Sequence, residues 1–326
     1  MNEALLDIRN LSVDYETVRG ALKALRGISF TVPKGEIVGI VGESGCGKST
    51  LISSILRLTA PNAHFREGEI RFKGQDLLKA SARDMQVLRG GDISIVFQDP
   101  MQTHNPVLTI GTQMVDIQHR ETTPKAEKRA RAAEMLAAVG IPDAESRLAQ
   151  YPHEFSGGMR QRIAIAMALM SRPDLLIADE PTTALDATLE VQIIEKLQAL
   201  QEDYRCSILF ISHHLGVIAE LCDRVVVLYG GEVVETGPVR DIFYDPKHPY
   251  TRRLIECDPG HIKTRARTLP TIPGNVPDLA ALPEGCIFRE RCTEALPRCA
   301  REAPSLAPSG PERTASCWLN REEAAA

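Results

Sequence analysis

The sequence lacks several features that would decide its class at once. Among its 326 residues no apolar run approaches the length of about 18 that a membrane-spanning helix needs, so no segment is predicted to cross a bilayer. The formal net charge is −5, which indicates no general attraction to nucleic acid. Residues 1–7 have neither a basic start nor an apolar signal core. We therefore expect a cytoplasmic protein that partners hold wherever it works at a membrane.

Closely spaced cysteine pairs are also missing. Four of the eight cysteines lie near the end of the chain with the spacing C-x5-C-x6-C-x17-C, which is not the C-x2-C pairing typical of structural zinc. In a reducing cytoplasm a disulfide framework is not expected, so a bound metal is the first interpretation of this cluster. Its members are Cys286, Cys292, Cys299 and Cys317.

A glycine-rich segment at residues 42–49 carries the most specific motif of the chain. Its sequence GESGCGKS fits the G-x-x-x-x-G-K-[ST] pattern of a phosphate-binding loop. Residues 37–41 predict a buried strand and residues 50–58 a helix, which is the context the motif requires. Glycines let successive backbone N–H groups surround a phosphate, and the helix N-terminus adds partial positive charge. The predicted phosphate-binding residues are Gly42, Glu43, Ser44, Gly45, Cys46, Gly47, Lys48, Ser49 and Thr50.

Two residues of this loop have separate predicted roles. Lys48 is expected to reach the β- and γ-phosphates of a nucleotide, and Ser49 to place its hydroxyl on Mg²⁺. The alternative, a glycine-rich turn that binds nothing, is disfavoured by the flanking strand and helix.

An apolar strand at residues 175–178 ends in two carboxylates. Such a strand delivers Asp179 to the tip of a sheet, where it can act in the second shell of Mg²⁺. Glu180 can then accept a proton from an attacking water or orient it. The alternative is a strand followed by two solvated acids.

Strands and helices alternate along the chain, which predicts an α/β core with a mainly parallel sheet. After about Ile255 prolines become frequent and periodic segments few, which predicts a small loop-rich extension organised by its cysteines. We find no internal repeat. Strands are predicted at residues 5–15, 25–32, 37–41, 69–72, 93–97, 175–178, 207–211 and 225–229, and helices at 50–58, 124–139, 159–170, 189–203 and 215–221.

Residues 155–162, FSGGMRQR, resemble the signature motif of ATP-binding cassette (ABC) ATPases. Phe155 replaces the usual Leu, and Met159 stands where Gln is common, but the Ser-Gly-Gly core is intact. In that family this core precedes a helix, here expected to open at Met159, and closes on the γ-phosphate held by another subunit's phosphate loop. The resemblance thus adds Ser156, Gly157 and Gly158 to the predicted nucleotide-binding residues.

Further positions match the family in order. Tyr15 resembles the aromatic residue that stacks on adenine, with local packing in a strand as the alternative. Gln98 resembles the glutamine that senses Mg²⁺ and the membrane partner, with a plain loop glutamine as the alternative. Residues 184–186 resemble the loop that crosses the dimer interface. His213 resembles the switch histidine that contacts the γ-phosphate, although His214 stands where the family usually has Asp.

The resemblance extends over essentially the whole chain and narrows to the ATPases of dipeptide and oligopeptide importers. The segments QDPM at 98–101, NP at 105–106, PTTALD at 181–186 and HPYT at 248–251 are typical of that group. Residues 102–104 stand where the group commonly has a shorter, plainer sequence. Nickel, glutathione and some oligosaccharides are also cargoes of the subfamily, so the machine is better defined than the cargo.

What the resemblance implies about fold and partners follows. We expect an ABC-type nucleotide-binding domain at residues 1–255, with antiparallel β and α-helical subdomains (the helical one at about 100–172), and an extension at 256–326. Expected partners are a second, related ATPase in a heterodimer, two permeases and a periplasmic or lipid-anchored peptide-binding protein, with no nucleic acid. The four clustered cysteines are expected to hold a structural [4Fe–4S] cluster remote from the ATP site, with zinc or unliganded thiols as alternatives.

A more distant alternative is an ABC protein that acts on ribosomes or DNA without a membrane partner. Such proteins usually carry two cassettes or a long coiled-coil insertion, whereas this chain has one phosphate loop and one signature.

Overall fold

The computed structural model describes residues 3–99, 103–182, 187–258, 260 and 270–322. Within these residues the chain forms two compact units, Met1–Ala80 with Ser212–Ala326 and Ser81–Ile211. The predicted boundary at residues 255/256, between the nucleotide-binding domain and the extension, does not correspond to either limit of these units and stays a prediction. The predicted interface loop at residues 184–186 lies outside the described residues.

The strands, numbered in chain order, are β1 (Ala4–Thr17), β2 (Gly20–Pro33), β3 (Ile37–Val41), β4 (Ala63–Phe72), β5 (Gln75–Asp76), β6 (Ile93–Val96), β7 (Leu175–Asp179), β8 (Ser207–Ile211), β9 (Arg224–Tyr229), β10 (Glu232–Pro238), β11 (Ala307–Gly310) and β12 (Arg313–Ala315). The α-helices are α1 (Lys48–Leu56), α2 (Ala82–Leu88), α3 (Ile110–Ile117), α4 (Lys125–Ala138), α5 (Ala144–Arg147), α6 (Gly157–Leu169), α7 (Ala187–Tyr204), α8 (Leu215–Leu221), α9 (Val239–Tyr244), α10 (Pro249–Glu256) and α11 (Leu319–Glu322).

The first unit contains an antiparallel sheet in the order β2-β1-β4-β5. Strand β1 presents one apolar face, on which Leu6, Ile8, Leu11 and Val13 are fully buried. The register shifts between Ile8 and Leu11, which keeps Leu11 on the buried face although its spacing from Ile8 is odd. Apolar residues at alternate positions, together with this register shift, therefore give β1 one buried apolar face.

A second set of strands in this unit carries the phosphate loop. Strand β3, IVGIV, is buried at every position and pairs in parallel with β9. A strand buried on both faces needs such an uninterrupted apolar run. Strand β9 pairs antiparallel with β10, β10 with β12, and β12 with β11.

These antiparallel pairings change two expectations. The sheet is mixed, since the expected parallel strands continue into antiparallel ones. The C-terminal segment (residues 270–322) is also not organised by its cysteines alone, because β11 and β12 extend the β9–β10 ladder. Strands of three or four residues leave too short a pattern for sequence analysis to detect.

The second unit contains β6, β7 and β8 as parallel neighbours. Helix α6 has buried residues around most of its circumference, as a helix inside a core requires. Helices α2, α3 and α5 were not predicted. A usable signal preceded α2, because Ser81 and Asp84 form a capping box there.

None of the described helices combines the length and apolar character needed to cross a membrane.

Candidate nucleotide-binding site

The phosphate loop connects the end of β3 to the start of α1, and its backbone requires glycine at two positions. Gly47 has φ 106°, and a Cβ there would lie 2.7 Å from a side-chain carbon of Leu25. A Cβ on Gly42 would lie 2.2 Å from the carbonyl oxygen of Leu228. The Leu228 carbonyl is backbone that cannot move aside, and the positive φ of Gly47 disfavours a side chain, so these glycines allow the loop to close against its surroundings.

Lys48 is the first residue of α1 and bends back over the loop. Its Nζ donates to the carbonyl oxygens of Gly42 at 2.7 Å and Glu43 at 3.2 Å. The ammonium group and the N-terminus of a nine-residue helix thus place positive charge at the same loop. Ser49 follows with an exposed side chain, whereas Thr50 is half-buried. This arrangement can bind a polyphosphate, and Ser49 has the hydroxyl and the exposure that a Mg²⁺ ligand needs.

Helix α10 contacts the phosphate loop through a buried tyrosine. The backbone N–H of Glu43 donates to the hydroxyl of Tyr250 at 3.0 Å, and Tyr250 is fully buried. Burial raises the pKa of the Tyr250 hydroxyl, so it stays protonated. In the sequence the HPYT segment is only a mark of resemblance, whereas the structure gives its tyrosine a contact with the phosphate loop.

Sequence analysis missed Arg291, which also contacts the loop. Its guanidinium forms two hydrogen bonds to the carboxylate of Glu43, at 2.7 and 3.0 Å. The two residues are 248 positions apart, and no local pattern could link them. The cysteine-bearing segment therefore contacts the phosphate loop through Arg291, while the expected remoteness of the cysteine cluster itself from the ATP site stays a prediction.

In the second unit, Gln98 and Glu180 meet as parallel strands β6 and β7 end. The Nε2 of Gln98 donates to a carboxylate oxygen of Glu180 at 2.9 Å. Glu180 has φ +46°, an uncommon backbone conformation for a residue with a side chain, and its N–H donates to the carbonyl of Ile211 at 2.9 Å. Such conformations cluster at functional sites. Asp179, the last residue of β7, is half-buried beside it.

The signature segment forms an open helix start. Ser156 is the N-cap of α6, its Oγ accepts the N–H of Met159 at 3.3 Å, and the helix begins at Gly157 rather than at Met159. Ser156 and Gly157 are exposed, and a Cβ on Gly157 would meet nothing within 4 Å. Gly158 is buried. The first turn of α6 therefore presents backbone N–H groups to a ligand that approaches from outside.

The two histidines of the predicted switch lie in the first unit. Ser212 donates its N–H to the carbonyl of Ile40 on β3 at 3.3 Å, so the histidines follow a point fixed on the strand that leads to the phosphate loop. His213 and His214 are both exposed, and their rings meet edge to face with centroids 4.3 Å apart. His214 is also the N-cap residue of α8.

Tyr15, the predicted adenine-stacking residue, belongs to the same unit. It is half-buried on β1, opposite Leu22 of β2 and Ala63 of β4. Tyr15 is thus a strand residue, and its role as the adenine platform stays a prediction.

All four clustered cysteines line one small cavity in the C-terminal segment, together with Phe288 and Trp318. Burial, together with the charges of the other three thiols, raises the pKa of Cys286 to about 11. Among the described residues, however, no group of three or more His, Cys, Asp or Glu side chains is arranged to hold one metal ion. The cavity thus gathers the thiols without forming a finished site for a single ion.

Comparison with known proteins agrees with this geometry. The family model "ABC transporter" matches residues 25–183, and the model "Oligopeptide/dipeptide transporter, C-terminal region" matches residues 234–299. The dipeptide transport ATP-binding protein DppD of Bacillus subtilis is 46% identical over 99% of this chain and 96% of its own. The oligopeptide transport ATP-binding protein OppD of Salmonella typhimurium is 43% identical over 98% and 95%.

The chain belongs to the ABC transporter ATP-binding family. Among solved structures, a dimeric post-hydrolysis state of the ATP-binding cassette MJ0796 with ADP and Pi superimposes with TM-score 0.65 at 28% identity. It covers 72% of this chain and 99% of that one. CbiO1 of Clostridium perfringens, part of the ABC transporter complex CbiONQ, gives TM-score 0.66 at 28% identity over 75% and 92%. The fold is that of the ABC ATPase cassette, an α/β fold that implies ATP and Mg²⁺.

Proposed function

We propose that this ABC ATPase hydrolyses ATP to drive the import of dipeptides and oligopeptides. The observation that carries the proposal is the phosphate loop, with Lys48 held over it at the start of α1. The full-length similarity to dipeptide and oligopeptide transport ATP-binding proteins supports the cargo. Nickel, glutathione or oligosaccharides on the same machine are the alternatives. An ABC protein acting on ribosomes or DNA is not favoured, because the curated relatives are transport proteins.

Glu180 is the proposed general base. Its carboxylate activates or orients the attacking water, and Gln98 fixes its direction through the 2.9 Å hydrogen bond. His213 is the proposed γ-phosphate contact and Tyr15 the adenine platform. Mg²⁺ would be held by Ser49, Gln98 and Asp179, and it would neutralise charge on the phosphates.

The proposed assembly pairs two cassettes. The open N-terminus of α6 suits a phosphate held by a second subunit, because Ser156 and Gly157 are exposed and a helix start favours negative charge. We place the chain in a heterodimer with a related ATPase, beneath two permeases on the cytoplasmic face of the bacterial inner membrane, with a peptide-binding protein on the other side. The cassette spans residues 1–255, with a helical subdomain at about 100–172, and the extension spans 256–326.

The cysteine cavity is the proposed site of a [4Fe–4S] cluster. Four thiols around one cavity suit a cubane, which takes one thiolate on each of its irons. Zinc, which needs all four sulfurs about 2.3 Å from a single ion, is the second candidate. Such a group would tie the loops of the C-terminal segment together.

The proposed hydrolysis is tested by comparing Glu180→Gln with Lys48→Ala. Glu180→Gln keeps an oxygen that can accept the Gln98 hydrogen bond but removes the base, so turnover should fall about 10²-fold or more while ATP still binds. Lys48→Ala should lose binding as well. Phosphate release and fluorescent ATP-analogue binding measure the two effects.

In a gene-deletion strain, neither variant should restore dipeptide uptake. Wild-type turnover by Glu180→Gln would refute the assigned role of the carboxylate. Restoration of nickel uptake instead of peptide uptake by the wild-type gene would establish the alternative cargo.

A further inference from the structure

Arg291 joins the cysteine-bearing segment to the phosphate loop in an unusually complete way. It ends a short 3₁₀ turn, Arg289–Arg291, between Cys286 and Cys292. Its side chain is only 4% exposed, while the carboxylate partner Glu43 is 28% exposed. A buried guanidinium is retained in a fold when its charge and its donors are both matched.

Every N–H donor of Arg291 has an acceptor. Two donors meet the Glu43 carboxylate at 2.7 and 3.0 Å. The other three meet the carbonyls of Pro273 at 2.9 Å and Ile272 at 3.2 Å and the hydroxyl of Tyr229 at 3.4 Å. With five donors engaged, the guanidinium has one orientation, and the two-point contact transmits that orientation to Glu43.

Glu43 in turn fixes the loop ahead of Lys48. Its N–H donates to Tyr250, and its carbonyl oxygen accepts the N–H of Cys46 and the Nζ of Lys48, each at 3.2 Å. A displacement of Glu43 therefore moves an acceptor of the very lysine that the proposed function assigns to ATP phosphates. Tyr250 alone leaves the carboxylate side of Glu43 free to rotate.

The cysteine segment is tied just as directly to Arg291. The N–H of Arg289 donates to the carbonyl of Cys286, and the N–H of Cys292 donates to the carbonyl of Arg289. Cys286 also donates its N–H to the carbonyl of Cys299 at 2.8 Å. The 3₁₀ turn that carries Arg291 is therefore part of the wall of the cysteine cavity.

We propose that Arg291 is a positioning residue for ATP binding, through which the C-terminal segment holds the phosphate loop in its binding conformation. The proposal rests on the proposed ATP-binding function. Its consequence is that ATP affinity depends on the integrity of the C-terminal segment.

A double-mutant cycle on full-length protein tests this role. Arg291→Gln and Glu43→Gln should each weaken binding of a fluorescent ATP analogue about 10-fold, and the double variant should be no weaker than either single one, because all three lose the same contact. Arg291→Lys keeps the charge but loses the two-point contact, so it should fall between wild type and Arg291→Gln. In the Arg291→Gln and Glu43→Gln variants, the backbone amides of residues 43–48 should exchange hydrogen faster than in wild type.

Arg252→Gln is the matched control. Arg252 also connects α10 to the C-terminal segment, through Glu294 at 2.7 Å, but both partners are more than 40% exposed. It should bind the analogue like wild type. Additive losses in the cycle, or wild-type affinity of folded Glu43→Gln and Arg291→Gln, would overturn the positioning role. Lys48→Ala distinguishes failure of the positioning role from failure of the proposed ATP site. If Lys48→Ala also binds the analogue normally, the proposed ATP site itself is wrong.

Discussion

At the scale of single residues, Glu180 shows how the fold prepares a reactive group. Its φ of +46° costs on the order of 1–3 kcal/mol for a residue with a side chain. The cost is offset where surrounding contacts fix the backbone, and here the N–H of Glu180 bonds to the carbonyl of Ile211. The resulting turn brings the carboxylate to Gln98. A carboxylate that a strained but hydrogen-bonded backbone holds at the end of a strand is consistent with a catalytic role.

His248 is a residue whose protonation should affect stability. Its ring is buried, burial lowers its pKa to about 3, and its Nδ1 accepts the N–H of Tyr250 as the N-cap of α10. The unfolded chain takes up a proton below about pH 6.5, whereas the folded protein does not until about pH 3. Stability from this residue is therefore present above pH 6.5 and is lost as pH falls, by about 1.4 kcal/mol per pH unit.

The variant His248→Asn should remove this dependence. Asparagine can accept the same N–H as an N-cap but does not titrate. Urea unfolding at pH 7, 6 and 5 should show a shallower loss of stability for the variant than for wild type. Glu235, whose pKa burial raises, acts in the opposite direction in both proteins, so their difference isolates His248. Parallel stability profiles would contradict the assignment.

At the scale of elements, the N-terminus of α6 illustrates how one helix start can serve two purposes. Ser156 caps the helix through the N–H of Met159, while the exposed start of the helix at Ser156 and Gly157 leaves room for a ligand. Phe155, the residue before Ser156, is only 4% exposed and packs into the interior. The capping interaction therefore holds the signature segment in place before any nucleotide arrives.

Mixing two inactive variants should test whether this helix start completes a site on another subunit. Ser156→Asp keeps the cap but places negative charge where a phosphate is expected, whereas Ser156→Asn keeps the cap without charge. Ser156→Asp and Lys48→Ala should each be nearly inactive. When high concentration makes the isolated chain pair with itself instead of with the related ATPase, an equal mixture should regain roughly a quarter of wild-type phosphate release, because half of these homodimers hold one intact site of two.

Ser156→Asn is the control and should retain most of the activity. If the mixture gives no more than the sum of its components while wild-type turnover per chain is independent of concentration, the shared-site mechanism fails.

At the scale of the whole molecule, the C-terminal segment is integrated into the first unit. Strand β12 pairs with β10, and the buried Arg313 on β12 bonds to Asp245 and lies 3.4 Å from the fully buried carboxylate of Glu235. Together with Arg291, these contacts bind the segment to the strands and to the phosphate loop. Its folding and nucleotide binding are therefore physically connected.

The metal content of anaerobically purified protein tests the cysteine cavity. Iron and acid-labile sulfide with broad absorption near ~400 nm are expected from a cluster ligated by four thiolates. Cys292→Ser should lose the iron and, through Arg291, weaken ATP-analogue binding, contrary to the expectation of an unaffected ATP site. Cys257→Ser, outside the cavity, is the control. One zinc per chain without iron or sulfide would assign the cavity to zinc.

The sequence by itself determined the features whose information is local. A phosphate loop must follow a buried strand and start a helix. Residues 37–56 therefore predict both the order of these elements and phosphate binding within one continuous stretch. The signature and the carboxylates after β7 are similarly local, and the family follows from them. Helix α4 was predicted within one residue at each end because its amphipathic period and Gly140 mark its limits.

Tertiary structure decided what depends on distant contacts. The bond between Gln98 and Glu180 requires β6 and β7 to lie side by side, and the pair of Glu43 and Arg291 joins residues 248 positions apart. No pattern within one segment encodes such a partner, because buried ion pairs and short antiparallel strands are selected by the surfaces that surround them. The sequence thus determined the phosphate-binding chemistry, and only the fold connected the cysteine-bearing segment to it.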